Sequence, residues 1–170
     1  NEFTPVEKKD TLIPCQATCP ARTDVPRYVR FVKEGKFSEA VAVIHEKLPF
    51  PECLGRVCAH PCEVKCRRGD VNDPVSIRNI KRYAAEHADN ELWKKNSKHM
   101  PATGKRVCVV GGGPAGMTAA YYLAKQGHET VLKEAYPTLG GQMAYGIPAY
   151  RLPRDVVAKE AGYLKDAGVT

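Results

Sequence analysis

The chain reads as an all-α module over residues 1–100, linker included, followed by the start of a parallel α/β unit over residues 101–170. Three observations predict this. First, the segment Lys105–Glu134 runs strand, glycine turn, helix, strand, acid. Second, apolar residues before it recur at helical spacing between proline and glycine stops. Third, six of the seven cysteines crowd the first 66 residues, while one sits in the predicted strand.

In the α/β unit, Val107, Val109 and Val110 form the short β-branched run expected of a buried parallel strand. Gly111, Gly113 and Gly116 follow in G-x-G-x-x-G spacing. The first allows a tight turn, the second admits a pyrophosphate to the main chain, and the third lets the helix pack close. Pro114 suits the first helical turn, whose free N–H groups and positive dipole end face the phosphates. The helix runs through Met117, Ala120, Tyr121 and Leu123 to a stop at Gly127, and a second strand spans Thr130 to Leu132. Glu134 lies 18 residues after Gly116, near the ~20-residue spacing of an acid that accepts ribose hydroxyls. Strand, turn, helix, strand and acid in register predict a Rossmann-like dinucleotide site. Cys108 is expected to be a small core side chain in the strand.

In the helical module, residues 1–14 read as a loose arm. Asp24 caps a helix that Pro26 enters, with Val25, Val29 and Val32 in register and Gly35 ending it. Ser38 is placed as the cap of a second helix whose Ala40, Val41, Ile44 and Leu48 face inward, before the prolines of LPFPE break it. Pro61 opens a short helix with Cys62 and Cys66 one turn apart. Ser76 caps a longer one carrying Ile77, Ile80, Ala84 and His87. Residues 89–104 read as a connector. The module is lean in large apolar side chains, so metal ligation would help hold it together.

The cysteines are spaced Cys15-x3-Cys19 and Cys58-x3-Cys62-x3-Cys66, with Cys53 the spare. Iron–sulfur clusters take thiolates from loops and short helix starts, as GRVCAHPCEVKC offers. Zinc and inert buried thiols are the alternatives; the usual C-x2-C zinc knuckle is missing. The beginning of the chain shows no signal core, no apolar run is of membrane-spanning length, and a reducing, cytoplasmic setting is expected. The formal charge of +7 divides into +4 up to residue 100 (18 basic, 14 acidic) and +3 after it (8 basic, 5 acidic). This diffuse excess suits an acidic protein such as a ferredoxin or flavodoxin better than nucleic acid.

The ordered motifs CPARTDVPRYV, GRVCAHPCEVKC, PVSI, VVGGGPAGM and LGGQMAYGIPAYRLP resemble the small subunit of glutamate synthase. They also resemble its relatives: the N-terminal region of dihydropyrimidine dehydrogenase and the large subunit of NADH-dependent ferredoxin:NADP oxidoreductases. The resemblance runs from Cys15 to about Val169. It implies an oxidoreductase in which a helical iron–sulfur domain precedes an adrenodoxin-reductase-like domain for FAD and NAD(P)H. Hydride would pass from NAD(P)H to FAD and single electrons onward to a cluster and a partner subunit or ferredoxin. By the same resemblance, Gly111, Gly113, Ala115 and Gly116 meet the FAD pyrophosphate, Glu134 the adenosine ribose, and Gly141, Gln142 and Arg151 the flavin part. Cys15, Cys19, Cys58, Cys62 and Cys66 are the candidate cluster ligands; no catalytic side chain is singled out, and His60 is expected to support a ligand rather than to be one.

Two departures from the family pattern stand out. Two-cluster members carry a C-x2-C where this chain has Glu7 and Asp10. Their inner cluster uses the equivalents of Cys19, Cys58 and Cys62 plus a Gln or Glu from the following helix, and that last position corresponds to Lys81, a poor ligand when protonated. The expectation is therefore one [4Fe-4S] cluster with Cys15 or Cys66 as fourth thiolate; two clusters would need unusual ligands. The resemblance stops short of the region that binds NAD(P)H, so an N-terminal portion without activity of its own is expected. A non-catalytic iron–sulfur or zinc docking module is the alternative.

Overall fold

The computed structural model describes residues 13–89, 91–96 and 99–170. The arm expected over residues 1–14 lies almost wholly outside the described residues, Glu7 and Asp10 included. The helical part runs α1 (Pro14–Thr18), α2 (Val25–Lys33), α3 (Phe37–His45), α4 (Pro51–Val57), α5 (Pro61–Val64), a 3₁₀ turn (Arg67–Asp70), α6 (Ile77–His87) and α7 (Glu91–Asn96). Then follow β1 (Arg106–Val110), α8 (Pro114–Lys125), β2 (Glu129–Lys133), α9 (Gln142–Tyr145) and α10 (Arg154–Asp166). None of the described helices is long and apolar enough to cross a membrane.

Asp24 does cap α2, its carboxylate accepting the Arg27 N–H at 3.2 Å. That helix buries Val25 and Tyr28, while Val29 and Val32 are half-buried. Ala40, Val41 and Ile44 bury the inner face of α3 as expected. Ser38 does not cap it: α3 starts one residue earlier, at Phe37, and the Ser38 hydroxyl accepts the Asp89 N–H at 3.0 Å. Ser76 stands at the cap position of α6, but its side chain makes no capping bond.

The prolines of LPFPE do more than end α3. Pro51 sits in the first turn of α4, where a missing N–H costs nothing. α4 packs along α6 so closely that a Cβ on Gly55 would lie 2.8 Å from the Arg82 Cα. Gly55→Ala is expected to force the two helices apart and cost about 1–3 kcal/mol, read as a lowered denaturant midpoint with unchanged slope. The connector also contains structure. α7 inserts Trp93, 5% exposed, which stacks on His45 at 3.9 Å and meets Tyr163 of α10 edge-on at 5.0 Å. Burial in this stack lowers the His45 imidazole to a pKa of about 3, so it is neutral.

β1 and β2 pair in parallel, Val107 opposite Thr130 and Val110 opposite Lys133. The Leu132 N–H donates to the Thr170 carbonyl at 2.7 Å, and the Thr170 N–H to the Thr130 carbonyl at 3.0 Å. The chain therefore returns from α10 to the edge of β2 away from β1, in a parallel bonding pattern. β1 is less buried than its valines predict: Val110 is 84% exposed, and Cys108 is exposed rather than in the core. Among the described residues β1 pairs with β2 alone, and α8 packs on the pair, so the opposite face stays open.

Candidate cofactor sites

The glycine turn links β1 to α8. Gly111 has φ +99°, and its N–H continues the ladder to the Lys133 carbonyl at 2.7 Å. A Cβ on Gly116 would lie 1.8 Å from the Gly111 carbonyl oxygen, so turn and helix are in contact there. Gly113 is the N-cap of α8, and no side chain caps the first turn at Pro114 and Ala115. Such uncapped N–H groups at a twelve-residue helix suit a phosphate.

Glu134 lies at this turn. It accepts the N–H groups of Tyr136 at 2.9 Å and Gly112 at 2.5 Å, which hold its carboxyl below the usual carboxylate range. The following loop folds back: the Gly140 N–H donates to the Gly112 carbonyl at 2.7 Å. A Cβ on Gly141, at φ +50°, would come within 2.8 Å of the Gly113 Cα. Gly141 and Gln142, which opens α9, are thereby brought to the turn. Arg151 is exposed in the bend before α10, while Arg154 donates to the Met143 carbonyl at 2.8 Å.

The thiols divide into groups. Cys19, Cys58 and Cys62 line one cavity together with Thr23, Tyr28, His60, Ile77, Arg78 and Lys81. Cys19 follows α1, Cys58 follows α4, and Cys62 lies in α5. His60, in the left-handed region at φ 45°, donates its N–H to the Cys58 sulfur at 3.3 Å. Glu63 accepts the Arg78 N–H at 2.7 Å, and the Arg78 guanidinium donates to the Cys58 carbonyl at 3.2 Å, bracing the loop against α6. Burial, then the neighbouring Cys58, Glu63 and Cys19 charges, pushes the Cys62 thiol up to about 11. Burial opposes ionisation of Cys19, but hydrogen bonding with Thr23 and the Ala21 backbone, together with the Lys81 charge, brings that thiol below its usual range.

α5 ends at Val64, so Cys66 does not share a helical face with Cys62 as the spacing implied; it leads into the 3₁₀ turn. Cys66 and Cys15 lie in each other's field, and burial raises the Cys15 thiol. Neither lines the Cys19 cavity. Among the described residues, no three His, Cys, Asp or Glu side chains close on one point as a single metal ion requires. Thiols spread around a cavity suit a body of several metal atoms better than one zinc ion. Thiolate donors backed by amide N–H groups fit an iron–sulfur cluster.

A third feature joins the two sites and was not read from the sequence. Glu160 of α10, 1% exposed, accepts the N–H groups of Glu52 at 2.6 Å and Cys53 at 2.8 Å, at the start of α4. Lys159 donates to Glu52 at 2.7 Å beside it. Cys53 is buried there, and desolvation and the Glu160 charge push its thiol far up, as suits an unreactive side chain. A lone acid on an amphipathic helix gives no sequence signal of a partner 108 residues away.

Residues 10–93 match the family described as "Dihydroprymidine dehydrogenase domain II, 4Fe-4S cluster", and residues 106–154 match "FAD dependent oxidoreductase". The chain is 39% identical over 178 residues to the NADP(+)-dependent formate dehydrogenase subunit beta of Moorella thermoacetica, covering 92% of this chain and 25% of that protein. It is 40% identical over 162 residues to the NADPH-Fe(3+) oxidoreductase subunit beta of Geobacter sulfurreducens, covering 92% and 24%. To the glutamate synthase [NADPH] small chain of Escherichia coli it is 32% identical over 157 residues, covering 91% and 33%.

The chain belongs to the glutamate synthase small-subunit-like family of FAD/NAD(P)-dependent oxidoreductases. It spans about a quarter to a third of the length of these relatives. The border between the two matches falls between α7 and β1. In this glutamate synthase small-subunit-like chain, the thiol cavity lies in the iron–sulfur match and the glycine turn in the flavin match.

Proposed function

We propose that this chain is the N-terminal portion of an NAD(P)H-dependent flavin and iron–sulfur oxidoreductase. Residues 1–100 form its helical iron–sulfur domain with linker, and residues 101–170 the first part of a Rossmann-like FAD domain. The observation that carries the reading is that a thiol-lined cavity and a glycine turn are built on one packed body, joined by Glu160 at the start of α4. The chain's return to the β2 edge at Thr170 supports the Rossmann-like layout, in which successive parallel strands add beside one another.

When bound, FAD would take a hydride from NAD(P)H and release single electrons to a [4Fe-4S] cluster that relays them to a partner subunit or ferredoxin. The chain's own residues bind and position these groups. Gly111, Gly113, Ala115 and Gly116 offer the pyrophosphate bare backbone, and the uncapped first turn of α8 offers it free N–H groups. Glu134, kept ionised by its two amide partners, has acceptor capacity left for ribose hydroxyls. Gly141 and Gln142 border the same turn, and Arg151 is assigned to the flavin part by family pattern. Cys19, Cys58 and Cys62 supply thiolates, with Cys15 and Cys66 the nearest further thiols in sequence.

Iron, sulfide and flavin analysis of anaerobically purified protein tests this. Expected are iron and sulfide with broad brown absorbance, and extractable FAD. Iron without flavin would favour the docking-module reading, and protein free of both would end the proposal. In the same protein, brief alkylation is expected to label exposed Cys108 first and buried Cys53 last, checked by peptide mass spectrometry.

A further inference from the structure

Residues of α2, α3, α7 and α8 line a second cavity of about 350 Å³, a volume that suits a small organic molecule. It shares no residue with the thiol cavity or the glycine turn. His45 lines it, 4% exposed, and neither ring nitrogen has a hydrogen-bond partner. The stack on Trp93 and the edge contact with Tyr163 hold the ring but satisfy neither nitrogen. Leaving such a group unbonded is destabilising, so a ligand that bonds to it is favoured. Lys125 of α8 lines the same cavity, half-buried, its ammonium 5.4 Å from the Tyr121 ring centroid. Among the described residues no carboxylate pairs with it, and burial lowers it below the usual lysine range. The acids of the lining stand apart: Glu46 pairs with Arg27, and neither Glu39 nor Glu46 bears on Lys125 or His45. One side of the cavity therefore offers a cation and a neutral imidazole with no acid beside them.

We propose that this cavity binds a small organic monocarboxylate with an apolar body, its carboxylate accepting from Lys125 Nζ and the His45 imidazole N–H. The neutral imidazole has one N–H to give, and the ammonium three. Phe31, Val43 and Leu92 supply the apolar wall for the body of the ligand. A single negative charge matches the single ammonium, whereas a compact dianion such as a phosphate would also meet the field of Glu39 and Glu46 across the cavity. Because His45 belongs to α3 and Lys125 to α8, the ligand would tie the helical module to the nucleotide unit. None of this depends on the flavin or the iron–sulfur reading.

Trp93 is the single tryptophan of the chain and stacks on His45, so its fluorescence reports on the site. Titrating the purified protein, with whatever cofactors it carries, with benzoate and with isovalerate is expected to give a saturable change. Benzamide, the uncharged counterpart of benzoate, should bind roughly tenfold or more weakly. No saturable change with either carboxylate, or benzamide binding as tightly as benzoate, overturns the proposal. His45→Phe keeps a ring against Trp93 and removes both nitrogens, so its benzoate affinity should fall roughly tenfold. Undiminished affinity in that variant removes the imidazole from the site and overturns the proposal. Lys125→Met should bind benzoate and benzamide alike; a preference for benzoate that survives there places the carboxylate elsewhere and overturns it too.

Discussion

Gly116→Ala is expected to unfold the nucleotide turn and abolish flavin binding. The added Cβ would stand 1.8 Å from the Gly111 carbonyl oxygen, a backbone atom with no rotamer to yield. Either α8 shifts away from β1 or Gly111 leaves its left-handed conformation, whose N–H bonds to Lys133. Overpacking against backbone costs about 3 kcal/mol or more, a large fraction of the stability of a domain this size. The checks are the denaturant midpoint and the FAD content of purified protein. Gly113→Ala is the contrast: its Cβ would meet nothing nearer than the Gly141 Cα at 3.9 Å, so the fold should survive while FAD affinity falls. Equal loss of stability in both variants would show that the close turn–helix contact is not what makes Gly116 necessary.

Glu160→Ala is expected to be comparably severe, for the opposite reason. It leaves the Glu52 and Cys53 N–H groups buried without their acceptor, at about 1–3 kcal/mol each. Loss of the contact between α10 and α4 should follow, seen as early hydrogen exchange at the start of α4. Glu160→Gln separates charge from shape. Burial raises the Glu160 carboxyl from 4.5 to about 7, more than its amide partners lower it. The folded state then binds this proton more tightly than the unfolded state. Its contribution to stability is full below about pH 4.5 and is lost as pH rises through 7, by roughly 3 kcal/mol. The difference between the unaltered protein and Glu160→Gln should therefore shift in favour of the variant from pH 5 to pH 8. A flat difference would show that the two amides keep the carboxylate ionised throughout.

Much of both sites was legible because their chemistry is local. The glycine spacing, Pro114, Gly127 and Glu134 act over a few residues of chain, and the β1–α8–β2 order follows the expected boundaries closely. Helices α2, α3 and α6 were likewise readable from apolar spacing and stops. α4 was missed because a proline pair reads as a break, although Pro51 also begins a helix. Exposure of Cys108 and Val110 was missed because a β-branched run predicts a strand but not how many neighbours cover it.

The residues alone determined the helical module with its thiols, the nucleotide turn and the family pattern, since each is written in contiguous spacing. Family resemblance points to Cys19, Cys58, Cys62 and the Lys81 position together; only the tertiary structure decided that the four line one cavity, and that Glu160 seals α10 to α4. Those pairings bring together segments far apart in the chain. Burial and hydrogen bonding select them, and spacing carries no record of either.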